Sequence, residues 1–190
     1  MNKIKTLIAL FALTIGVASC SFMDNKEKGN NENVNENTEA KTDDDESIDV
    51  SKLPVAKDFT LDDINGKKVS LMNVVSQNKI TVVDFWASWC PPCMKEMPNL
   101  VSLYDNYNEE GLTILGVSLD NDKKAWMNAV ESMGMKWIQV SDLKGWDSSA
   151  AILYQVEAIP HTLVLDKEGH ILAEDLRGQQ LEEFISDFLD

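Results

Sequence analysis

Two cysteines, Cys90 and Cys93, stand two residues apart in this 190-residue chain, with Pro91 and Pro92 between them. A C-x-x-C pair can be a redox dithiol, half of a zinc site or an inert buried pair. Zinc would require two further ligands, and only His161, His170 and carboxylates could supply them. The flanking sequence favours redox chemistry. The run "ITVVDFWA" (80–87) is apolar and β-branched, as in a strand covered on both faces. In "PPCMKEMPNLVSLYDNYNEEG" (91–111), Met94, Met97, Val101 and Tyr104 recur at the spacing of a helix, Gly111 suits its end, and Pro98 is expected to kink it. Cys90 therefore falls where a helix begins, against unpaired backbone N–H groups and the positive end of the helix dipole. Both favour thiolate over thiol, which makes Cys90 the attacking sulfur. Cys93, one turn along the same face, is within disulfide reach and is the expected buried, resolving thiol.

The prolines fit this placement. A helix tolerates proline in its first turn, where the missing N–H would have no carbonyl partner. Pro91 and Pro92 hold the two sulfurs in a narrow range of geometries, yet they also delete two donors that could stabilise the Cys90 thiolate. The Cys90 pKa is then depressed only modestly, and the dithiol gives up its electrons readily.

The elements that must position this pair follow from periodicity. "FTLDDINGKKVSL" (59–71) reads as a hairpin turning at the two residues Asn65-Gly66. "LTILGVSL" (112–119) is a second buried strand. "DNDKKAWMNAVESMG" (120–134) is an amphipathic helix, capped by Asp120 or Asn121 and closed by Gly134. "KWIQV" is a short strand and "DSSAAILYQV" (147–156) a short helix. "HTLVLDKEGHILAED" (161–175) is a second hairpin, turning at Lys167-Glu168-Gly169, and "QLEEFISDFL" (180–189) closes the chain as a helix. The order βαβαβαββα after the first hairpin argues for an α/β fold, a mixed sheet with helices on both faces. Trp86 is expected in the core or in a pocket wall, Trp126, Trp137 and Trp146 as packing residues, and His170 as an exposed side chain after a turn. Trp89, adjacent to Cys90, is expected to be a partly exposed platform for substrate.

Charge and termini bound the rest. Seventeen basic against 32 acidic residues give a net charge of −15, the wrong sign for nucleic acid or an anionic membrane surface. Residues 1–19 read as a signal peptide: Lys3 and Lys5, then the thirteen-residue apolar run "LIALFALTIGVAS". A spanning helix would need ~20 apolar residues. The junction "VASC" resembles the lipobox of bacterial lipoproteins, which implies cleavage before Cys20 and a lipid on its sulfur. Residues 20–52 carry that cysteine and a tether with ten acids against four lysines, too polar to fold, and residues 53–190 form the domain.

"VVDFWASWCPPC", followed some seventy residues later by "AIPHTLVLDKEGHIL", resembles the thioredoxin superfamily. The insert "DNDKKAWMNAVESMGMKWIQV" and the continuation "CMKEMP" are similar to its TlpA/ResA-like branch of envelope thiol–disulfide oxidoreductases. The resemblance implies a thioredoxin-like fold with an N-terminal β-hairpin and a TlpA-type helical insert. It also implies a cis peptide bond at Pro160 facing the disulfide, and an Ile159 backbone that pairs with substrate main chain. Asp84 matches the buried aspartate of thioredoxin. Burial among Val82, Val83 and Phe85 is expected to raise its pKa, so that it accepts or relays the Cys93 proton, the alternative being a structurally hydrogen-bonded carboxylate. Glu96 matches an acid of the TlpA/ResA-like branch and equally suits a glutamate favoured by the helix dipole.

The expected activity is reduction of protein disulfides in the cell envelope, on the periplasmic or extracytoplasmic side. No cofactor is expected beyond the Cys90–Cys93 disulfide, and no metal. The resemblance implies as partners disulfide-containing envelope proteins, apocytochrome c among them, and a membrane electron donor of the DsbD/CcdA type. The chain is expected to be a monomer held to a membrane by the lipid on Cys20. One alternative is a peroxiredoxin-like peroxidase, although Ala87 stands where those enzymes carry Thr or Ser. Another is a copper chaperone binding through Cys90, Cys93 and His161.

Overall fold

The computed structural model describes residues 49–189. The expected signal peptide, Cys20 and the tether as far as residue 48 lie outside the described residues.

Continuous apolar runs make the sheet's centre. Strands β3 (Ile80–Trp86) and β4 (Leu112–Ser118) are buried at every position. They pair in parallel, with Asp84 opposite Gly116. β4 continues in parallel to β5 (Ile138–Ser141). Hairpins complete both ends: β1 (Thr60–Asp63) with β2 (Lys68–Ser70), and β6 (His161–Asp166) with β7 (Ile171–Glu174). β1 joins β5 and β6 joins β3, both antiparallel, giving one seven-stranded mixed sheet in the order β2-β1-β5-β4-β3-β6-β7.

Five α-helices complete the described chain: α1 (Leu71–Val75), α2 (Pro91–Tyr107), α3 (Lys123–Met133), α4 (Ser149–Leu153) and α5 (Gly178–Leu189). Alternation along β3 sends Asp84 and Phe85 to opposite faces of the sheet. On the Phe85 face, the Tyr154 ring that follows α4 lies 5.8 Å from Phe85 and 6.0 Å from Phe59. On the other face, α2 and α5 pack together, burying Met97, Leu100 and Leu103 of one and Leu181, Phe184 and Ile185 of the other. Burying such apolar side chains on both faces is what holds this sheet, at roughly 1.5–3 kcal/mol for each large one.

Several expectations need correction. The first hairpin does not turn on two residues. Asp62 pairs with Lys68, and the Asp63 amide donates to the Lys67 carbonyl at 2.8 Å, so Ile64, Asn65 and Gly66 form the loop. Asp63 Oδ1 accepts the amides of Asn65 and Lys67, both at 2.8 Å, and this side-chain turn selects the longer loop. The run after it does not end as a strand: Ser70 caps α1 by accepting the Asn73 amide. α3 is capped by Asp122, whose Oδ1 accepts the Ala125 amide at 2.7 Å, rather than by Asp120 or Asn121. The stretch read as one helix over 147–156 is a 3-10 turn (Gly145–Asp147) followed by the shorter α4. α2, with Pro98 in its interior, ends at Tyr107, and a 3-10 turn (Asn108–Glu110) separates it from Gly111. His170 is half-buried, not exposed, with Nδ1 2.8 Å from Asp166.

Candidate active site

The strand-to-helix junction after β3 brings Cys90 to the N-cap of α2. Cys90 is extended (φ −97°, ψ 101°), Pro91 and Pro92 fill the first two helical positions, and the Cys93 amide donates to Cys90 Sγ at 3.2 Å. The two sulfurs form a disulfide, with 5.3 Å between the Cα atoms. Cys93 is fully buried and Cys90 nearly so, while Pro91 and Pro92 are exposed. With proline at both earlier positions, the Cys93 N–H is the backbone donor that remains for the sulfur, so the helix end stabilises a Cys90 thiolate through one directed bond and its dipole.

The loop leading to Cys90 is held from β4. Asp120, read from the sequence as a helix cap, is buried and accepts the Ser88 amide at 3.0 Å, the Ser88 hydroxyl at 2.6 Å and the Ser118 hydroxyl at 2.8 Å. Trp86 forms core, and its Nε1–H donates to Gln139 Oε1 at 3.0 Å. Gly116 makes room for that amide, since a Cβ there would lie 2.2 Å from Gln139 Oε1.

The Ile159–Pro160 bond is cis. The Ile159 carbonyl oxygen lies 3.7 Å from Cys90 Sγ, so the loop before β6 faces the attacking sulfur. The Pro160 carbonyl accepts a hydrogen bond from Arg177 Nη2, which also reaches Asp175 Oδ1 at 3.3 Å. His161 does not turn to the cysteines for a partner: its Nδ1 is 3.0 Å from Asp175 Oδ1, and its ring lies 5.8 Å from Phe85. Among the described residues no three His, Cys, Asp or Glu side chains gather as a metal site.

Asp84 is buried, and its Oδ2 has no hydrogen-bond partner. That geometry departs from a structurally hydrogen-bonded carboxylate. Burial first, then the nearby Glu96, push its pKa up to about 7, while Arg177 acts the other way. A carboxyl group poised near neutral pH can take up and release a proton under working conditions. Glu96 is half-buried and is not a first-turn residue favoured by its own helix. Its Oε1 accepts the Gly178 amide at 2.7 Å, at the start of α5, and its Oε2 accepts from Asn99 at 3.0 Å.

Trp89 is 49% exposed, as expected, and Trp146, expected to pack inside, is 47% exposed. Their ring centroids are 6.1 Å apart, and with Pro91, Pro92, Glu157, Ala158 and Ile159 they line a shallow groove of about 340 Å³ over Cys90. Asp120, Trp146 and Arg177 were not legible as site residues. The signal for Asp120 was its place at the carboxyl end of a central parallel strand, where α/β sheets build sites. Arg177 is the sole arginine of the chain.

Residues 54–174 match the model of the AhpC/TSA family. The thiol–disulfide oxidoreductase ResA of Bacillus thuringiensis (strain Al Hakam) is 32% identical over 144 residues, covering 74% of this chain and 80% of that protein. ResA of Bacillus subtilis (strain 168) is 30% identical over 141 residues, covering 74% and 75%. The thioredoxin domain of a thiol–disulfide oxidoreductase from Bacteroides vulgatus superposes with a TM-score of 0.66 at 34% identity, covering 72% of this chain and 96% of that one.

Proposed function

Since this chain belongs to the AhpC/TSA family and is a thiol–disulfide oxidoreductase of thioredoxin-like fold, we propose that it works as a reductase of protein disulfides in the cell envelope. One observation carries the direction: Pro91 and Pro92 leave the Cys93 amide as the donor at Cys90 Sγ. A thiolate with little stabilisation makes the reduced form the less favoured one, and the pair hands its electrons on.

In the reaction, the Cys90 thiolate attacks one sulfur of a client disulfide, and the other client sulfur leaves as thiolate. Cys93 loses its proton to Asp84 and attacks Cys90 Sγ. The bond between Cys90 and the client breaks, the client leaves with both sulfurs reduced, and the Cys90–Cys93 disulfide remains. Two electrons have moved from the protein to the client. The groove between Trp89, Trp146 and Ile159 takes an extended client segment, with the Ile159 backbone available to its main chain.

The sequence supports a setting for this reaction, with a signal peptide over 1–19, a lipid on Cys20 and the acidic tether; the resemblance to TlpA/ResA-like oxidoreductases adds re-reduction by a membrane donor of the DsbD/CcdA type. Envelope proteins with disulfides, disulfide-bonded apocytochrome c included, are the clients this reading favours. Neither alternative gains support. Ala87 carries no hydroxyl, and the nearby Ser88 hydroxyl is taken by Asp120. His161 is engaged by Asp175 and not directed to the sulfurs.

The deciding experiment is the Cys90–Cys93 potential against a dithiothreitol or glutathione couple, with insulin reduction alongside. A value near that of thioredoxin, about −270 mV, supports the reductase; a value near −120 mV, that of a strong oxidant, overturns it.

A further inference from the structure

The chain uses lysine for every basic side chain except one, Arg177, in the turn between β7 and α5. That turn is fastened to the active site at several points. The Asp175 amide donates to the Thr162 carbonyl at 2.8 Å, and the Thr162 hydroxyl donates to the Leu176 carbonyl at 3.0 Å. The Gly178 amide donates to Glu96 at 2.7 Å, and Arg177 itself donates to the carbonyl of cis-Pro160. Thr162 is the residue paired with Asp84 across β3 and β6. The turn therefore lies against the strand pair that carries the buried carboxyl group.

We propose that Arg177 is a positioning residue of the reaction: by holding the carbonyl of cis-Pro160 from the turn that also binds Glu96 and Thr162, it sets a cation beside the strand pair that carries Asp84, the acceptor of the Cys93 proton. This rests on the reading of Asp84 given above. Among the described residues, two charged groups act on Asp84. Glu96 comes from α2 and Arg177 from the turn, with Asp175 and His161 beyond the guanidinium. Across β4 its neighbour is the uncharged Gly116, and the Cys93 thiol joins the set once reduced. A carboxyl group out of water beside a second carboxylate holds its proton too tightly to act as a base. The Arg177 charge, fixed in the neighbouring turn, acts against that. Arginine suits the task because its planar fork can bond a backbone carbonyl and a carboxylate at once, and it stays charged at any working pH.

The test is a 13C titration of the Asp84 carboxyl in the oxidised protein, independent of activity. Arg177→Gln is expected to raise its midpoint by about half to one pH unit, and Arg177→Lys, which keeps the charge, to return most of that shift. An unmoved midpoint in R177Q overturns the inference. Should R177Q fail to fold, Asp175→Asn takes its place; asparagine accepts the left-handed backbone there (φ 57°). Freeing the guanidinium from Asp175 lowers the midpoint, and an unmoved or raised one overturns the inference. Resolution of the mixed disulfide against pH then separates the two readings. If the Asp84→Asn variant keeps the wild-type limb, Asp84 is not the proton acceptor, whatever Arg177 does to its carboxyl.

Discussion

Asp120 grips Ser88 twice, through the backbone amide at 3.0 Å and through the hydroxyl at 2.6 Å, and so ties the loop before Cys90 to the end of β4. The carboxylate is buried and takes a third bond from Ser118 at 2.8 Å. Asp120→Ala leaves these donors without their acceptor, at a cost of about 1–3 kcal/mol for each one that stays dry. Urea unfolding should register the loss, with slower attack on a client disulfide. Asp120→Asn, which keeps one carbonyl oxygen for the loop, is expected to be milder. Equal stability in D120A and wild type would sink this account.

Asp84 makes stability depend on pH with a definite sign. Its folded-state pKa is raised from 3.8 to about 7, so the folded protein binds the proton more tightly than the unfolded chain. The resulting stabilisation is full below the unfolded pKa and is lost as pH rises through the folded one. Asp84→Asn abolishes this dependence. The variant should gain on the order of a few kcal/mol over wild type at pH 8 and little at acid pH. Resolution by Cys93 should slow by about 10²-fold at neutral pH. Unfolding curves at the two pH values that show no relative gain at pH 8 would refute the assignment.

Pro92 occupies the second helical position, where an amide would face the Cys90 sulfur. Pro92→Ala restores that donor. The Cys90 pKa is expected to fall, and the potential to rise by about 10–30 mV, since 30 mV corresponds to ~1.4 kcal/mol and a neutral donor contributes around that or less. Thiolate absorbance against pH gives the first quantity and a dithiothreitol couple the second. A potential that falls contradicts the idea that the prolines keep this dithiol reducing.

Trp146 and Trp89 stand 6.1 Å apart on the rim of the groove. Trp146→Ala removes an exposed wall and no core packing, so folding should be intact. For a protein client kcat/KM is expected to drop about five- to tenfold, or ~1–1.4 kcal/mol, typical of a lost aromatic contact. A small disulfide that cannot span the groove should be reduced at the wild-type rate. Parallel losses on both substrates would show that Trp146 acts on the sulfurs and not on docking.

The amino-acid sequence by itself determined the strand, the C-x-x-C and the helix that follow one another from Ile80 to Tyr107, together with both hairpins and the burial of Asp84. These are written in continuous apolar runs, in helical spacing and in turn residues, all of them patterns among near neighbours along the chain. The loop length of the first hairpin and the caps of the short helices were harder to read. There an aspartate or serine side chain decides between competing local bonds of similar energy, as Asp63 and Asp122 do. Only the tertiary structure decided which distant loops meet at the sulfur. Sheet order sets β6 beside β3 and so brings Ile159, 69 residues away in sequence, to 3.7 Å from Cys90 Sγ. The same order carries Asp120 to Ser88, Trp146 to Trp89 and Arg177 to Pro160. No periodicity encodes such contacts, because each depends on where two separately formed elements come to rest. The disulfide chemistry was therefore written locally, whereas the residues that position it and tune its protons were assembled by folding.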